Sequence, residues 1–357
     1  MRIALVTGRY YPFIGGVETH VQEIANHLVK RGANLEVEVL TTDPSGKLPK
    51  NDFVNGVEVR RFKSWAPNEA YFFSRSLRKY LMENSESFDI VHAHGYHSFV
   101  PLYAAQAKSR NKLIFTPHYH GGGHTFFRSL LHKPYRLLGK KIFKEADKVI
   151  CVSKCEKDLV LKHFGVDEKK IEMIPNGINL EEFQDLKKTR NKRGRTILSV
   201  GRLEKYKGVH YLIEALAKVN DNMILEVVGK GAYKESLIKL ASSLGIAGRV
   251  RFFEDLPRSE LLQKYADADL FALLSKHEAY GICVAEALAS GTPCIVSNTS
   301  ALTEWIDDQN CFGINNPANV AELVSLLDKV IGRSVEKPKL LDWDEVTDKL
   351  IKVYECL

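Results

Sequence analysis

Short apolar segments alternate with amphipathic helical segments along the chain, in two successive series. Predicted strands of the first series cover residues 3–7, 35–41, 57–62, 90–92, 113–116, 148–152 and 171–174, and those of the second cover 196–200, 224–228, 250–253, 270–274 and 294–297. Helical spacing in the second series predicts helices over 207–219, 232–244, 258–266, 282–290 and 317–331. Such alternation produces parallel sheets through right-handed crossovers, so we expect an α/β protein with two Rossmann-like domains.

The seam between the two series is visible at Ile174-Pro175-Asn176-Gly177, where a strand ends in residues typical of a turn. A length of 357 residues also favours two domains over one. We therefore predict a first domain over 1–176 and a second over 177–342. The last segment, 343–357, has apolar residues at helical spacing, and we expect this helix to pack back on the first domain.

The composition is that of an ordinary soluble globular protein, with 45% hydrophobic and 27% charged residues. No apolar run reaches 18 residues, and the first residues enter a strand pattern without a signal peptide, so we expect a cytoplasmic protein. The six cysteines form no CxxC pair, which favours reduced thiols over disulfides or zinc ligands. The net charge of +7 arises from an excess of basic residues in the first half, which should attract anions.

Two carboxylates lie around the start of one predicted helix. Glu278 follows the apolar run 270–274 on a strand-to-helix loop, and Glu286 lies about one turn inside the helix that begins at Ile282. Ligands of α/β proteins bind at the carboxyl ends of parallel strands, where such a loop lies. Ionised carboxylates there accept strong hydrogen bonds from the hydroxyl groups of a sugar.

A basic pair follows the first strand of the second series, in Gly201-Arg202-Leu203-Glu204-Lys205-Tyr206-Lys207-Gly208. A basic pair is more often a solvated surface feature, but Arg202 and Lys207 stand where a parallel sheet binds its ligand, and together they suit a diphosphate. Gly229 follows the next strand and would let a nucleotide approach the backbone closely. That glycine is weak support when it is taken alone.

A glycine pair, Gly15-Gly16, opens the first predicted helix. Backbone N–H groups at a helix start can bind an anion when no side chain obstructs them. An ordinary loop is an equally good interpretation, and the absence of GxGxxG argues against a dinucleotide fingerprint.

Two further patterns favour structural roles over metal binding. Asp267-Ala268-Asp269 precedes a strand at its amino end, and His92, His94, His97, His118, His120 and His124 have no compact zinc-ligand spacing.

Four motifs occur in a characteristic order: Gly-Gly-x-Glu after the first strand, Pro-Asn-Gly-Ile at the seam, Gly-Arg-Leu-x(3)-Lys-Gly, and Glu-x(7)-Glu near the end. This ordered set resembles the GT-B retaining glycosyltransferases of family four, over nearly the whole chain. The resemblance implies two Rossmann-like domains that face each other across a cleft. It also implies a nucleotide-diphosphate sugar as donor and a hexosyl transfer that requires no metal ion or other cofactor.

By this resemblance, Arg202 and Lys207 hold the diphosphate, and Glu278 binds the transferred sugar with help from backbone groups near Gly281 and Ile282. Glu286 binds the ribose, and Gly16 faces the diphosphate. The resemblance also assigns His118, in Thr116-Pro117-His118, as the active-site histidine. The predicted catalytic set is His118, Arg202, Lys207 and Glu278, and the predicted donor-binding set is Gly15, Gly16, Gly201, Gly229, Gly281, Ile282 and Glu286.

A basic and apolar segment over 126–144 suggests docking of the first domain on an anionic membrane, where it would reach a lipid-linked or polysaccharide-precursor acceptor. A core helix with a solvated basic face explains the same pattern equally well, and Pro134 is expected to interrupt that helix. The donor base, UDP or GDP, stays open. Alternative functions are a nucleotide-sugar epimerase, a phosphorylase and a non-catalytic nucleotide-sugar-binding subunit, whereas no basic motif with interleaved aromatic residues supports nucleic-acid binding.

Overall fold

An eight-stranded sheet organises the first of two units in the computed structural model. The structure describes residues 1–32, 34–67, 70–122, 126–189, 194–219 and 222–357, with the backbone alone over 126–134. The strands of this sheet are β1 (Arg2–Thr7), β2 (Glu36–Asp43), β3 (Asn51–Val54), β4 (Val57–Lys63), β5 (Ile90–His94), β6 (Lys112–Thr116), β7 (Lys148–Cys151) and β8 (Ile171–Met173). Their order is β3-β4-β2-β1-β5-β6-β7-β8, and only β3 runs antiparallel to its neighbour.

The helices of this first stretch are α1 (Gly16–Lys30), α2 (Arg75–Asn84), α3 (Val100–Gln106), α4 (Phe126–Glu145) and α5 (Lys154–Phe164). The apolar sides of α2, α3, α4 and α5 and one face of the sheet form a core that includes Phe115, Phe143 and Val149. The strand order reverses between β1 and β5, because β2 and β4 follow on one side and β6 to β8 on the other. In an open parallel sheet such a reversal leaves a crevice at the carboxyl ends of the two strands.

The second unit repeats this plan with six parallel strands. They are β9 (Arg195–Val200), β10 (Met223–Val228), β11 (Val250–Phe253), β12 (Leu270–Leu273), β13 (Cys294–Ser297) and β14 (Cys311–Ile314), in the order β11-β10-β9-β12-β13-β14. The helices are α6 (Val209–Leu216), α7 (Lys234–Ser243), α8 (Arg258–Asp267), α9 (Ile282–Ala289) and α10 (Val320–Val330). The order reverses between β9 and β12. The prediction of two parallel-sheet α/β domains is confirmed.

The last helix, α11 (Trp343–Glu355), belongs to the first unit and packs on α1. Its buried residues Trp343, Val346, Leu350 and Tyr354 lie on one side, and the Tyr354 hydroxyl lies 2.8 Å from Nδ1 of His92. The units consist of residues 1–177 with 343–357, and of residues 178–342. The corresponding predictions were 1–176 with the final helix, and 177–342.

Two strands and one helix differ from the sequence predictions. The strand β3 pairs with β4 through a tight turn at Asn55-Gly56, whose residues both have positive φ, as such hairpin turns require. The edge strand β14 was also not predicted. Pro134 was expected to interrupt its helix, but α4 runs continuously through that position. Within the described ranges, every helix is too short or too polar to cross a lipid bilayer.

Candidate active site

The loops after the two strands at the reversal point of the second sheet carry the predicted catalytic residues of the second unit. The loop after β9 holds Arg202 and Lys207, and the loop after β12 holds Glu278. Because β9 and β12 are hydrogen-bonded neighbours that run in the same direction, their following loops emerge side by side. The sheet therefore brings basic and acidic side chains together that are 71 residues apart in sequence.

Lys207 and Glu278 form an ion pair, with 2.5 Å between Nζ and Oε1. Both side chains are largely enclosed, at 13% and 15% exposure. Burial lowers the pKa of the Lys207 ammonium, but the nearby Glu278 carboxylate outweighs burial and holds that pKa above its ordinary value. Lysine stays charged in this setting, so the loops present a fixed cation and a fixed anion in direct contact.

Local backbone contacts explain why the two loops hold these positions. Gly208, directly after Lys207, has a φ of +75°, and a Cβ there would overlap the backbone carbonyl of Leu274. The backbone N–H of Lys276 donates to the carbonyl of Tyr206 at 2.8 Å. On the other side, the Ser300 hydroxyl accepts a hydrogen bond from the backbone N–H of Glu278 at 3.0 Å. The pair is therefore held by close backbone packing as well as by charge.

Arg202 is exposed and donates from Nη2 to the Tyr206 hydroxyl at 3.2 Å. The Tyr206 ring in turn lies 5.5 Å from Nζ of Lys207, measured to the ring centroid. Arg202 and Lys207 both line a small pocket at the end of β9, together with Gly201. The structure thus places the two cations on one rim, with one enclosed and one open to solvent.

The loops after β9 and β10 pack backbone to backbone. Gly229 has a φ of +145°, and a Cβ built on it would overlap the carbonyl of Gly201. The backbone N–H of Gly201 donates to Val228, and that of Leu203 donates to Lys230 at 2.7 Å. Glycine at position 229 is therefore required by chain packing itself. Its predicted contact with a donor nucleotide stays a prediction.

Glu286 is buried on α9, with its Oε1 2.5 Å from Nη1 of Arg258. Arg258 also contacts Glu182 at 2.7 Å. Burial lowers the pKa of the Arg258 guanidinium, but the attraction of Glu286 and Glu182 outweighs burial and raises it. Arg258 was not predicted as a site residue, because it begins α8 and belongs to none of the recognised motifs. The ion pair with Arg258 therefore fixes the orientation of the Glu286 carboxylate.

The first turn of α9 links the two carboxylates. Gly281, the residue before the helix, has a φ of +98°, and Ile282 is its first residue. The Cys283 thiol lies within electrostatic range of Glu278 and Glu286, and burial raises its pKa to about 12, with a further increase from Glu278. The backbone around Gly281 and Ile282 therefore stands between the two acids, at a helix start that favours negative charge.

In the first unit, Gly15 and Gly16 open α1 after β1. Gly15 is extended, and a Cβ built on Gly16 would meet no atom within 4 Å among the described residues. Packing within the unit therefore does not explain glycine at position 16. Close by, Glu18 pairs with Arg9 at 2.8 Å, and each side chain is 11% exposed.

His118 lies in the loop after β6, with a φ of +50° and 8% exposure. A non-glycine residue in this region is uncommon, and such strain is concentrated at functional sites. Its ring lies 4.6 Å from that of His20, between centroids, and 6.1 Å from that of His94. Burial lowers the pKa of all three imidazoles, that of His20 to about 4. The His118 ring is therefore held neutral in a histidine-rich surrounding.

Two other sequence patterns have structural partners. Asp269 accepts from the backbone N–H of Thr196 and pairs with Lys188 at 2.7 Å, whereas Asp267 accepts from Thr189. Both acids lie at the amino end of β12, away from the loops that carry Lys207 and Glu278, as expected of a structural role.

In the basic segment 126–144, the side chains of 126–134, including Arg128 and Lys133, lie outside the described residues, as does His124.

Residues 14–182 match the domain described as Glycosyltransferase Family 4, and residues 181–344 match the domain described as Glycosyl transferases group 1. The chain belongs to the GT-B glycosyltransferases of group 1. The two matches meet at residues 181–182, close to the boundary between the two units of this glycosyltransferase.

Relatives of this glycosyltransferase differ in what they act on. It is 28% identical to an uncharacterized glycosyltransferase of Methanocaldococcus jannaschii, covering 99% of this chain and 98% of the relative. Identity is also 28% with a glycogen synthase of Mycobacterium tuberculosis, over 93% and 86% of the two chains. An alpha-monoglucosyldiacylglycerol synthase of Streptococcus pneumoniae is 28% identical, over 87% and 74%.

Solved structures share the fold of this glycosyltransferase at low identity. Sucrose-phosphate synthase from Thermosynechococcus elongatus matches with a TM-score of 0.81 and 19% identity, over 99% of this chain and 98% of that one. HepE from Anabaena, in complex with UDP and glucose, matches with a TM-score of 0.80 and 18% identity, over the full length of both chains. These similarities establish the GT-B fold.

We predict that Gly208→Ala destabilises the second unit far more than Gly245→Ala. Both glycines have a φ near that of a left-handed turn, +75° and +72°, but only Gly208 lacks room for a Cβ. The conformation alone costs about 1–2 kcal/mol for alanine, so Gly245→Ala should lose that amount and Gly208→Ala clearly more. Hydrogen exchange of peptides from β9 and α6 measures the difference, and equal losses in the two variants would contradict the packing argument.

Proposed function

We propose that this glycosyltransferase moves a hexosyl group from a UDP- or GDP-linked sugar to an acceptor hydroxyl, with retention of anomeric configuration. The observation that carries the proposal is the Lys207–Glu278 pair at the reversal point of the second sheet. A cation suited to a diphosphate and an anion suited to sugar hydroxyls are held there side by side. This is the pairing that a nucleotide-diphosphate sugar needs at the bond that breaks.

The chemistry follows from charge. When the sugar–phosphate bond breaks, negative charge grows on the leaving diphosphate and positive charge grows on the sugar ring. Lys207 would stabilise the first charge, with Arg202 reaching the same phosphates from the open side of the rim. One fixed donor of this kind is worth about 3–4 kcal/mol in the transition state. Glu278 would accept hydrogen bonds from sugar hydroxyls, and its negative charge would favour the developing positive charge.

Binding of the donor need not separate the ion pair. An ammonium has three N–H donors and a carboxylate has two oxygens, so each partner keeps capacity for a ligand while the contact between Nζ and Oε1 persists. Before donor binding, the pair would keep both side chains oriented, which reduces the ordering required on binding. The backbone at Gly281 and Ile282 would assist, and Glu286, oriented by Arg258, would bind the ribose.

The first unit would supply the acceptor site. His118 is proposed to contact the transferred sugar, and its strained backbone and neutral ring suit a hydrogen-bonding role in place of a charged one. Gly16 would let the backbone at the start of α1 face the diphosphate. Glycogen synthase and alpha-monoglucosyldiacylglycerol synthase are both relatives, so we propose a polysaccharide-precursor or lipid-linked acceptor.

An epimerase on the same fold would consume a nucleotide sugar without an acceptor, and donor turnover in the absence of any acceptor tests that alternative. A non-catalytic binding subunit is the other alternative. The intact set of Arg202, Lys207, Glu278 and Glu286 argues against it, because a chain released from catalysis has no need to keep all four charges.

We predict that Lys207→Ala lowers the rate of donor turnover by at least about 100-fold, whereas Lys205→Ala leaves the rate nearly unchanged. Lys205 lies two residues away and is exposed, so it controls for the loss of a positive charge in the same loop. The donor is first chosen from UDP-, GDP- and ADP-sugars by thermal shift, because a ligand of the native state raises apparent stability. A fully active Lys207→Ala variant would refute the proposed role.

We also propose that Arg202 and Lys207 take the place that a divalent cation has in other diphosphate sites. Turnover should therefore survive dialysis against EDTA, and added Mg²⁺ or Mn²⁺ should change the rate by less than about twofold, since removing one charge-stabilising group costs far more. Activity that disappears in EDTA and returns with Mn²⁺ would show that a metal ion, and not the side-chain pair, stabilises the leaving group.

A membrane contact is proposed for α4. Beyond residue 134, Lys140, Lys141 and Lys144 are exposed, and Leu137 is 69% exposed beside them. Exposed basic and large apolar side chains on one helix suit an anionic lipid surface, and each lysine near such a surface contributes about 1 kcal/mol. We predict that the double variant Lys140→Glu, Lys141→Glu loses co-sedimentation with anionic vesicles, while Lys239→Glu retains it. Equal binding to neutral and anionic vesicles would disprove the contact.

A further inference from the structure

Three histidines from three different elements meet inside the first unit. His20 comes from α1, His94 ends β5, and His118 follows β6. One ring nitrogen of each lies within 4.8 Å of those of the other two, and all three residues are buried, at 2%, 0% and 8% exposure. No pair of the three is closer than 24 residues in sequence, so only the fold brings them together.

Several nitrogens of this cluster lack hydrogen-bond partners among the described residues. They are Nε2 of His20, both ring nitrogens of His94, and Nε2 of His118. A buried polar atom without a partner costs about 1–3 kcal/mol, and such atoms in a native protein call for an explanation. Four orphaned nitrogens in one cluster point to a ligand that accepts several lone pairs at once.

The hydrogen bonding around His20 leaves Nε2 of its ring able to bind a metal ion. Nδ1 of His20 lies 2.7 Å from Oδ1 of Asn176, and because that amide oxygen can only accept, Nδ1 carries the proton. Nε2, which has no hydrogen-bond partner among the described residues, then holds a free lone pair. A partner that holds the second ring nitrogen in this way is the usual support of a metal-binding histidine.

His94 is also held in place. Its ring packs 4.1 Å from that of His92, measured between centroids, and His92 is fixed by the Tyr354 and Thr116 hydroxyls at 2.8 Å each. The His118 ring packs edge-on against that of His20, with 4.6 Å between centroids. Burial keeps all three rings neutral, which is the form of imidazole that binds metals.

We propose that His20, His94 and His118 form a binding site for a divalent transition metal ion of the zinc type, with three imidazole ligands and a fourth position for water or an exogenous ligand. Zinc–nitrogen bonds of about 2.0–2.1 Å require small ring rotations that bring the three nitrogens closer together. A set of three imidazoles disfavours Mg²⁺ and Ca²⁺, which prefer oxygen ligands.

The metal site and the proposed function are separable. If His118 contacts the transferred sugar, an ion on its Nε2 removes that contact, and Zn²⁺ inhibits transfer. If the proposed function is wrong, the metal still binds and only the inhibition is absent. The test therefore reads metal binding directly, on the folded full chain without an affinity tag, and needs no substrate.

Titration with Co²⁺ is the first experiment, because tetrahedral Co²⁺ absorbs visible light far more strongly than the aqueous ion. We expect one equivalent to produce this band, and Zn²⁺ to displace it. His20→Gln and His94→Gln should weaken Co²⁺ binding by at least about 100-fold. Asn176→Ala should weaken it by about 10- to 100-fold, which is the usual effect of removing the hydrogen-bond partner of a metal ligand. The control is His210→Gln, because His210 in the second unit also has an orphaned nitrogen but belongs to no group of candidate metal ligands in the described part of the chain.

Variants of buried histidines can fail to fold, so a second measurement uses the wild-type protein alone. X-ray absorption at the zinc edge of the one-equivalent complex should show three imidazole ligands and one light-atom ligand. A sulfur ligand, or fewer than three imidazoles, would overturn the proposal, as would the absence of stoichiometric Co²⁺ binding. Binding that is unchanged in folded His20→Gln would overturn it as well.

Discussion

The contact between Lys207 and Glu278 is the interaction on which the account of this chain depends. It exists because β9 and β12 are neighbours in a parallel sheet whose order reverses between them. Loops that follow such neighbours emerge at the same edge, and this brings two residues that are 71 positions apart in sequence into contact. The order of the strands therefore determines which side chains meet. The close packing at Gly208 and the ion pair both depend on that order.

The carboxyl ends of the strands in the first sheet lead to a different set of residues. Its loops carry the glycine pair of α1 and a set of buried histidines, with α11 closing over α1 from the far end of the chain. The Tyr354 hydroxyl of that helix contacts His92, which packs against His94. The histidine cluster thus depends on the last helix as well as on the first sheet. Low polarity there keeps the rings neutral, whereas charge compensation keeps Lys207 ionised in the second unit.

The sequence predicted the part of this arrangement that follows from periodicity and loop position. Lys207 and Glu278 were identified because each follows an apolar strand, and the strand order of a parallel sheet then brings their loops together. Arg258 could not be found in this way, because its partners Glu286 and Glu182 are 28 and 76 residues distant and no motif surrounds it. The strand β3 was missed because it is polar and short, although the Asn55-Gly56 pair is a hairpin signal.

The cluster of His20, His94 and His118 also could not be predicted from the sequence. Linear spacing argued against metal binding, because it compared only the histidines in and directly after β5 with those directly after β6. His20 lies on the buried side of α1, where its helical position reads as ordinary core packing. Only the packing of α1 on the sheet reveals that its ring joins the other two. Spacing along the chain is informative for sites built within one segment and uninformative for sites built from three.

The most direct test of the central claim is the affinity of the folded protein for a nucleoside, its monophosphate and its diphosphate, measured by calorimetry with the base selected by thermal shift. We expect the diphosphate to bind much more tightly than the monophosphate, and Lys207→Ala to remove most of this difference while nucleoside affinity is unchanged. An equally large difference between the two nucleotides in folded Lys207→Ala would contradict the claim that the lysine beside Glu278 holds the diphosphate.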